Sequence, residues 1–170
     1  MGNLSKKNLN KITVKEIIEK AGYNRSTFYY HFKNTEEILE YLENEILDSL
    51  FNVVSNINSY KSNLEFTHNI IKIYEKYGDY FYFLLSTNGD SNFIIKFSET
   101  TKKIFYNNHK NEKYSLEELE LTHAFISSAF IGSFLYWFKK NNSTSFENFL
   151  DISLKLSHTV LYENFQNNNS

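Results

Sequence analysis

Apolar residues recur every three or four positions along most of the chain, and short polar clusters interrupt them. Val14, Ile17, Ile18 and Ala21 share one helical face; Thr13 and Glu16 stand at the spacing of a reciprocal N-terminal cap, and Gly22 closes the segment. Asn24 is placed to cap a second, short helix that ends at His31. Asn34 and Glu37 make a similar pair at the head of a longer helix, whose apolar row is Ile38, Leu42, Ile46 and Leu50, with Tyr41 and Glu45 beside it. Two helices joined by a short glycine-containing turn form a helix-turn-helix pattern.

Beyond the polar break at 56–59 the periodicity stays helical. It predicts helices over 64–77, 80–86, 92–107, 116–140 and 146–165, divided at 78–79, 88–90, 108–114 and 141–145, with 167–170 a frayed tail. Strand alternation, internal repeats and heptads do not persist, so the fold class is all-α. The expected division is a helix-turn-helix domain over 1–50 and a helical body over 51–170.

The stretch 119–138 is apolar nearly all round, which predicts a helix buried on most sides. Its length also matches a bilayer span, but Glu120, His123 and several serines make a membrane location costly, so a buried helix is expected instead. Ala124, Ser128 and Gly132 form a stripe of small residues that lets another helix come close. With Leu135, and with Phe149, Leu154 and Leu161 of the last helix, they are candidates for half of an intersubunit four-helix bundle. The other reading is that both helices complete the core of a single chain.

Composition narrows the chemistry. Proline and cysteine are absent and aromatic residues reach 18%. Long unbroken helices are therefore permitted, while disulfides, thiolate metal sites and a cysteine nucleophile are excluded. Absent cysteine fits a reducing compartment, and Met1 to Lys11 is too polar for a secretory signal, so a cytoplasmic location is expected. Nucleophile elbow, phosphate loop and metal-spaced histidine pair are all missing; His68, His109, His123 and His158 are scattered. No enzymatic activity, cofactor or metal is expected. The net charge of −2 is unevenly spread: up to Lys33, seven basic residues (Lys6, Lys7, Lys11, Lys15, Lys20, Arg25, Lys33) meet only Glu16 and Glu19, a net +5 that leaves −7 for the remainder. A basic head on an acidic body suits a polyanion bound at one end.

The stretch 12–33, with Ala21-Gly22 followed by Thr27-Phe28-Tyr29-Tyr30-His31-Phe32-Lys33, resembles the DNA-binding signature of TetR-family transcription regulators. Phe28 and Phe32, four apart, are expected to anchor one face of the second helix. That turns Arg25, Ser26, Thr27, Tyr29 and Tyr30 toward a major groove, with Arg25 the candidate for a bidentate contact to guanine. Thr13, Tyr29, His31 and Lys33 suit phosphates, although Thr13 also serves as a mere cap and His31 can be held by a backbone carbonyl. Relatives carry a full first helix before the capped one, and here Leu4 to Leu9 resembles only its tail. Either the true start lies upstream or the three-helix head is thinned. Thr35 stands where relatives often have lysine, which puts one phosphate contact in doubt.

The resemblance implies a homodimer on a near-palindromic double-stranded operator, acting as a repressor. It also implies a small effector in the body that shifts the spacing of the heads through the helix starting at Thr35. Tyr77, Phe81, Phe97, Phe105, His123 and Phe130 are candidates for a pocket suited to an apolar or aromatic ligand, with His68 a further polar anchor; the same rings also suit plain core packing. The alternative function is a helical family member that works through a protein partner instead of an operator.

Overall fold

The computed structural model describes residues 12–56, 63–86, 89–109, 115–140 and 144–166, and among these it contains helices and no strand. They are α1 (Val14–Ala21), α2 (Arg25–His31), α3 (Thr35–Ser55), α4 (Asn63–Leu85), α5 (Ser91–His109), α6 (Leu116–Lys139) and α7 (Phe146–Gln166). The expected helix tail at 4–9, the break at 57–59 and the frayed tail at 167–170 lie outside the described residues.

Local chemistry starts and stops the helices. The Thr13 hydroxyl accepts the Glu16 N–H at 3.3 Å and the Glu16 carboxylate accepts the Thr13 N–H at 3.0 Å, which satisfies two amides that the first turn leaves open. Gly22 ends α1 at φ +71°, a left-handed conformation that costs a residue with a Cβ. Asn34 caps α3 by accepting the Glu37 N–H at 2.9 Å, but the pair is not reciprocal as expected: the Glu37 carboxylate reaches one residue further back, to the Lys33 N–H. Ser115 and Glu118 form a full reciprocal cap at the start of α6.

In the body α4 is central and packs against α3, α5, α6 and α7, while α6 also lies on α5 and α7. Ile46, Leu84, Phe93, Phe97, Phe134, Trp137 and Phe149 belong to one buried cluster. Phe81 sets its ring edge-on against Phe93, Phe97 and Phe134, with centroids 5.2–5.9 Å apart, the geometry that aromatic quadrupoles favour. On the other side of Phe134, Trp137 stacks on Phe149 at 5.1 Å and donates its indole N–H to the Thr144 carbonyl at 3.0 Å.

Gly78 and Asp79 do not divide two helices as expected; α4 runs straight through them. A Cβ at Gly78 would lie 2.5 Å from the Tyr74 ring, which stacks on Phe146 of α7 at 3.8 Å. The glycine admits that ring at close range, which offsets its helix penalty of about 1 kcal/mol.

Two acidic residues fasten α3 to the body. Glu43, 2% exposed, pairs with Lys96 of α5 at 2.9 Å, and this hydrogen bond holds the Lys96 ammonium above its ordinary pKa against the opposing pull of burial. The second carboxylate oxygen of Glu43 is buried without a hydrogen-bond partner. Glu45 accepts the Tyr77 hydroxyl at 2.7 Å on the α4 side.

Candidate nucleic-acid interface

The head presents α2 on a single aromatic anchor. Phe28 is 6% exposed and takes the Tyr29 ring edge-on at 5.2 Å and the Phe32 ring at 6.1 Å. Phe32 is the C-cap in extended backbone, half-buried against Tyr41 of α3, and so holds the exit of α2 rather than its helical face. Pinning Phe28 inside turns the remaining side chains out. Arg25, Ser26, Tyr29, Tyr30, His31 and Lys33 are exposed, Tyr30 at 83%, and Thr27 is half-buried.

Their neighbours define what each can offer. The Arg25 guanidinium lies 5.7 Å from the Tyr29 ring centroid, a cation–π contact that steadies a long side chain and leaves its donors outward. Tyr30 and His31 meet edge-on at 4.9 Å. The Lys33 ammonium sits 3.8 Å from Glu37, an exposed pair that an anion can replace at little cost. Asn24 Oδ1 accepts the Thr27 N–H at 2.8 Å and also the Ser26 and Thr27 hydroxyls, at 2.6 and 3.0 Å. Thr13 fits less well than expected: its hydroxyl hydrogen points at the Glu16 carboxylate 3.0 Å away, so it has none to give a phosphate. Tyr23, 66% exposed in the turn between α1 and α2, and Tyr41, 55% exposed on α3, were not anticipated among the exposed rings of the head.

The residues expected around an effector are already engaged. Tyr77 and Phe97 are buried in the central cluster, and Phe81 and Phe130 pack against it. His123 is 5% exposed, its Nε2 3.0 Å from the Thr101 hydroxyl; burial and then the Lys102 charge hold its pKa below the usual histidine range. Phe105 lies between His123 and His109. Two clefts lie elsewhere. One, of about 410 Å³, is lined by Glu65, Thr67, His68, Ile71 and Glu147. The other, of about 790 Å³, lies between α3, α5 and α6, with Phe51, Lys102, Lys103, Tyr106, Leu116 and Glu120 on its walls.

The expectation that α6 is buried on most sides does not hold within one chain. Leu119, His123, Phe134 and Trp137 are its buried residues, whereas Leu121, Phe125 and Tyr136 are each more than 60% exposed, and Ala124, Ser128 and Gly132 lie open beside them. The helix is long and apolar enough to span a membrane by length and composition, a description that a bundle helix also meets. On α7, Ile152, Leu154 and Leu156 are exposed. Leu135 and Leu161 are half-buried. Phe149 leaves the expected interface set: it is 7% exposed and stacked on Trp137, because the inward side of α7 must fill the space beneath α4 and α6.

A capped helix, a glycine turn and a second helix with an outward polar face define the helix-turn-helix class of DNA-binding regulators. Residues 4–42 match the model for bacterial regulatory proteins of the tetR family, and residues 61–159, more than half of the chain, match a transcriptional regulator C-terminal region. The chain belongs to the TetR family of transcriptional regulators. No curated protein and no solved structure matches it.

Proposed function

We propose that the chain is a homodimeric, cytoplasmic repressor that binds a near-palindromic operator through α2. The reading rests on one observation: Phe28 is held inside while Arg25, Ser26, Tyr29 and Tyr30 face solvent from a basic tip. Arg25 takes guanine by its two parallel donors; Tyr29, His31 and Lys33 hold phosphates; Thr13 acts as the cap of α1 rather than as a donor. The head is residues 1–50 and the body 51–170.

One head buries too little surface for tight, specific binding, so a second copy is needed. The open apolar face of α6 and α7, with its small residues Ala124, Ser128 and Gly132, supports a partner helix pair at close range. Two heads then meet the duplex about 34 Å apart or at a multiple of that spacing. A small apolar effector would act through α3, which joins the head to the body and borders the larger cleft at Phe51.

Selection of duplexes from a random pool tests the reading. The expected product is a near-palindrome bound with steep salt dependence, each phosphate contact adding roughly 0.9 to the logarithmic slope. Arg25→Ala should relax or abolish the choice of sequence, and Lys33→Gln should reduce the slope by about one. An Arg25→Ala protein that binds the selected duplex with unchanged affinity and specificity overturns the assignment.

A further inference from the structure

The amide of Asn24 has a fixed orientation. The Thr27 backbone N–H, 2.8 Å away, can only donate, so the atom facing it is the carbonyl oxygen. The Ser26 hydroxyl lies 2.6 Å and the Thr27 hydroxyl 3.0 Å from that same oxygen. A carbonyl oxygen accepts and never donates, so each hydroxyl must point its single hydrogen at Asn24. What Ser26 and Thr27 retain on their other sides is lone pairs. Ser26 is exposed, whereas Thr27 is half-buried, so Ser26 is the one able to offer its lone pairs to a groove.

We propose that Asn24 sets the hydrogen-bonding polarity of α2, making Ser26 an acceptor that selects an amino-bearing base, adenine or cytosine, on the strand it contacts. The proposal rests on the DNA-binding reading and adds to it a choice of base class. In the major groove the amino groups are N6 of adenine and N4 of cytosine; guanine and thymine present acceptors at the equivalent edge. A hydroxyl free to rotate reads both classes. One whose hydrogen is held by Asn24 meets a keto base acceptor to acceptor, or must break a 2.6 Å hydrogen bond to turn round. Arg25 next to it has the opposite polarity, because a guanidinium donates only. Adjacent residues at the start of the recognition helix therefore ask for opposite groups on the DNA. Asn24 is a positioning residue here and touches no base.

Duplex selection with the full chain and three variants tests this. In sites selected by the unaltered protein, one position per half-site should be adenine or cytosine on the contacted strand, favoured about tenfold over guanine or thymine. Ser26→Ala should erase the preference at that position and leave the others. Asn24→Asp keeps an acceptor at the cap and should keep the preference, with affinity lowered evenly across sequences by the added negative charge. Asn24→Gly, a tolerated N-cap residue, frees the hydroxyl and should admit all four bases while α2 still folds. A merely structural Asn24 would alter affinity without altering base choice. The proposal is overturned if Ser26→Ala changes the preference nowhere, or if Asn24→Gly leaves the choice of base unchanged at the position that Ser26 governs. Should Arg25→Ala still disturb the selected site in that case, the DNA-binding reading survives and only the polarity argument fails. Should the unaltered protein select no duplex, both fall together.

Discussion

Replacing Lys96 with methionine removes the partner of a carboxylate that has almost no access to water. Glu43 is 2% exposed, its Oε2 is 2.9 Å from the Lys96 ammonium, and its Oε1 already lacks a hydrogen-bond donor. Stripping one member from a fully buried pair costs about 3–5 kcal/mol, because the remaining charge is left without compensation. The Lys96 side chain is 39% exposed, so water already screens part of the attraction, and the expected loss is about 2–3 kcal/mol. In a chain of this size that corresponds to a fall in Tm of about 4–12 °C. The double variant Glu43→Leu with Lys96→Met removes both charges and should return to within about 1 kcal/mol of the original stability. Urea unfolding followed by far-ultraviolet circular dichroism measures both. A loss below about 0.5 kcal/mol in Lys96→Met, or a double variant as unstable as the single one, would refute the argument that this pair fastens α3 to α5.

Three further outcomes follow from the geometry. Phe28→Ala removes the anchor of α2, worth about 3–5 kcal/mol, so amide exchange should quicken throughout α1 and α2 while the melting of the body stays put; unchanged protection of those amides would contradict the anchor. A Cβ at Gly132 meets nothing within 4 Å in the single chain, so Gly132→Ala should stabilise the monomer by up to about 1 kcal/mol, whereas Gly132→Leu should lower self-association in sedimentation; unaltered association places the partner elsewhere. His123 has a folded pKa below its ordinary 6.5, so the folded state resists its protonation, and the stability present above pH 6.5 is lost as pH falls through the lower folded value. His123→Leu should flatten that limb of the stability profile, and a profile as steep as before would exclude His123 as its source.

Features encoded within four residues were legible from the chain alone. Thr13 and Glu16, Gly22, and Asn24 before a short helix announce themselves because a cap needs no distant partner. Gly78 was misleading for the opposite reason: as text it resembles a turn, and only the Tyr74 ring stacked on Phe146 explains a glycine inside a helix. Glu43 was invisible, since a carboxylate in the run Glu40 to Glu45 looks solvated and its partner lies far along the chain on α5. Periodicity marked Phe149 as apolar but could not say which of two apolar sides it joins; Trp137 decides that. At the head, spacing identified the outward residues of α2. It carried no information about where their hydroxyl hydrogens point, which depends on the orientation of one amide.

The chain has one tryptophan, and it sits where α6 meets α7, stacked on Phe149 and tied to the Thr144 carbonyl. Emission excited where tryptophan alone absorbs therefore reports on that corner, apart from the thirteen tyrosines. A shift in its colour on mixing two solutions marks rearrangement where α6 meets α7 rather than in α2 itself, and the unlabelled protein serves as its own optical gauge of whether events at the head reach the closing helices.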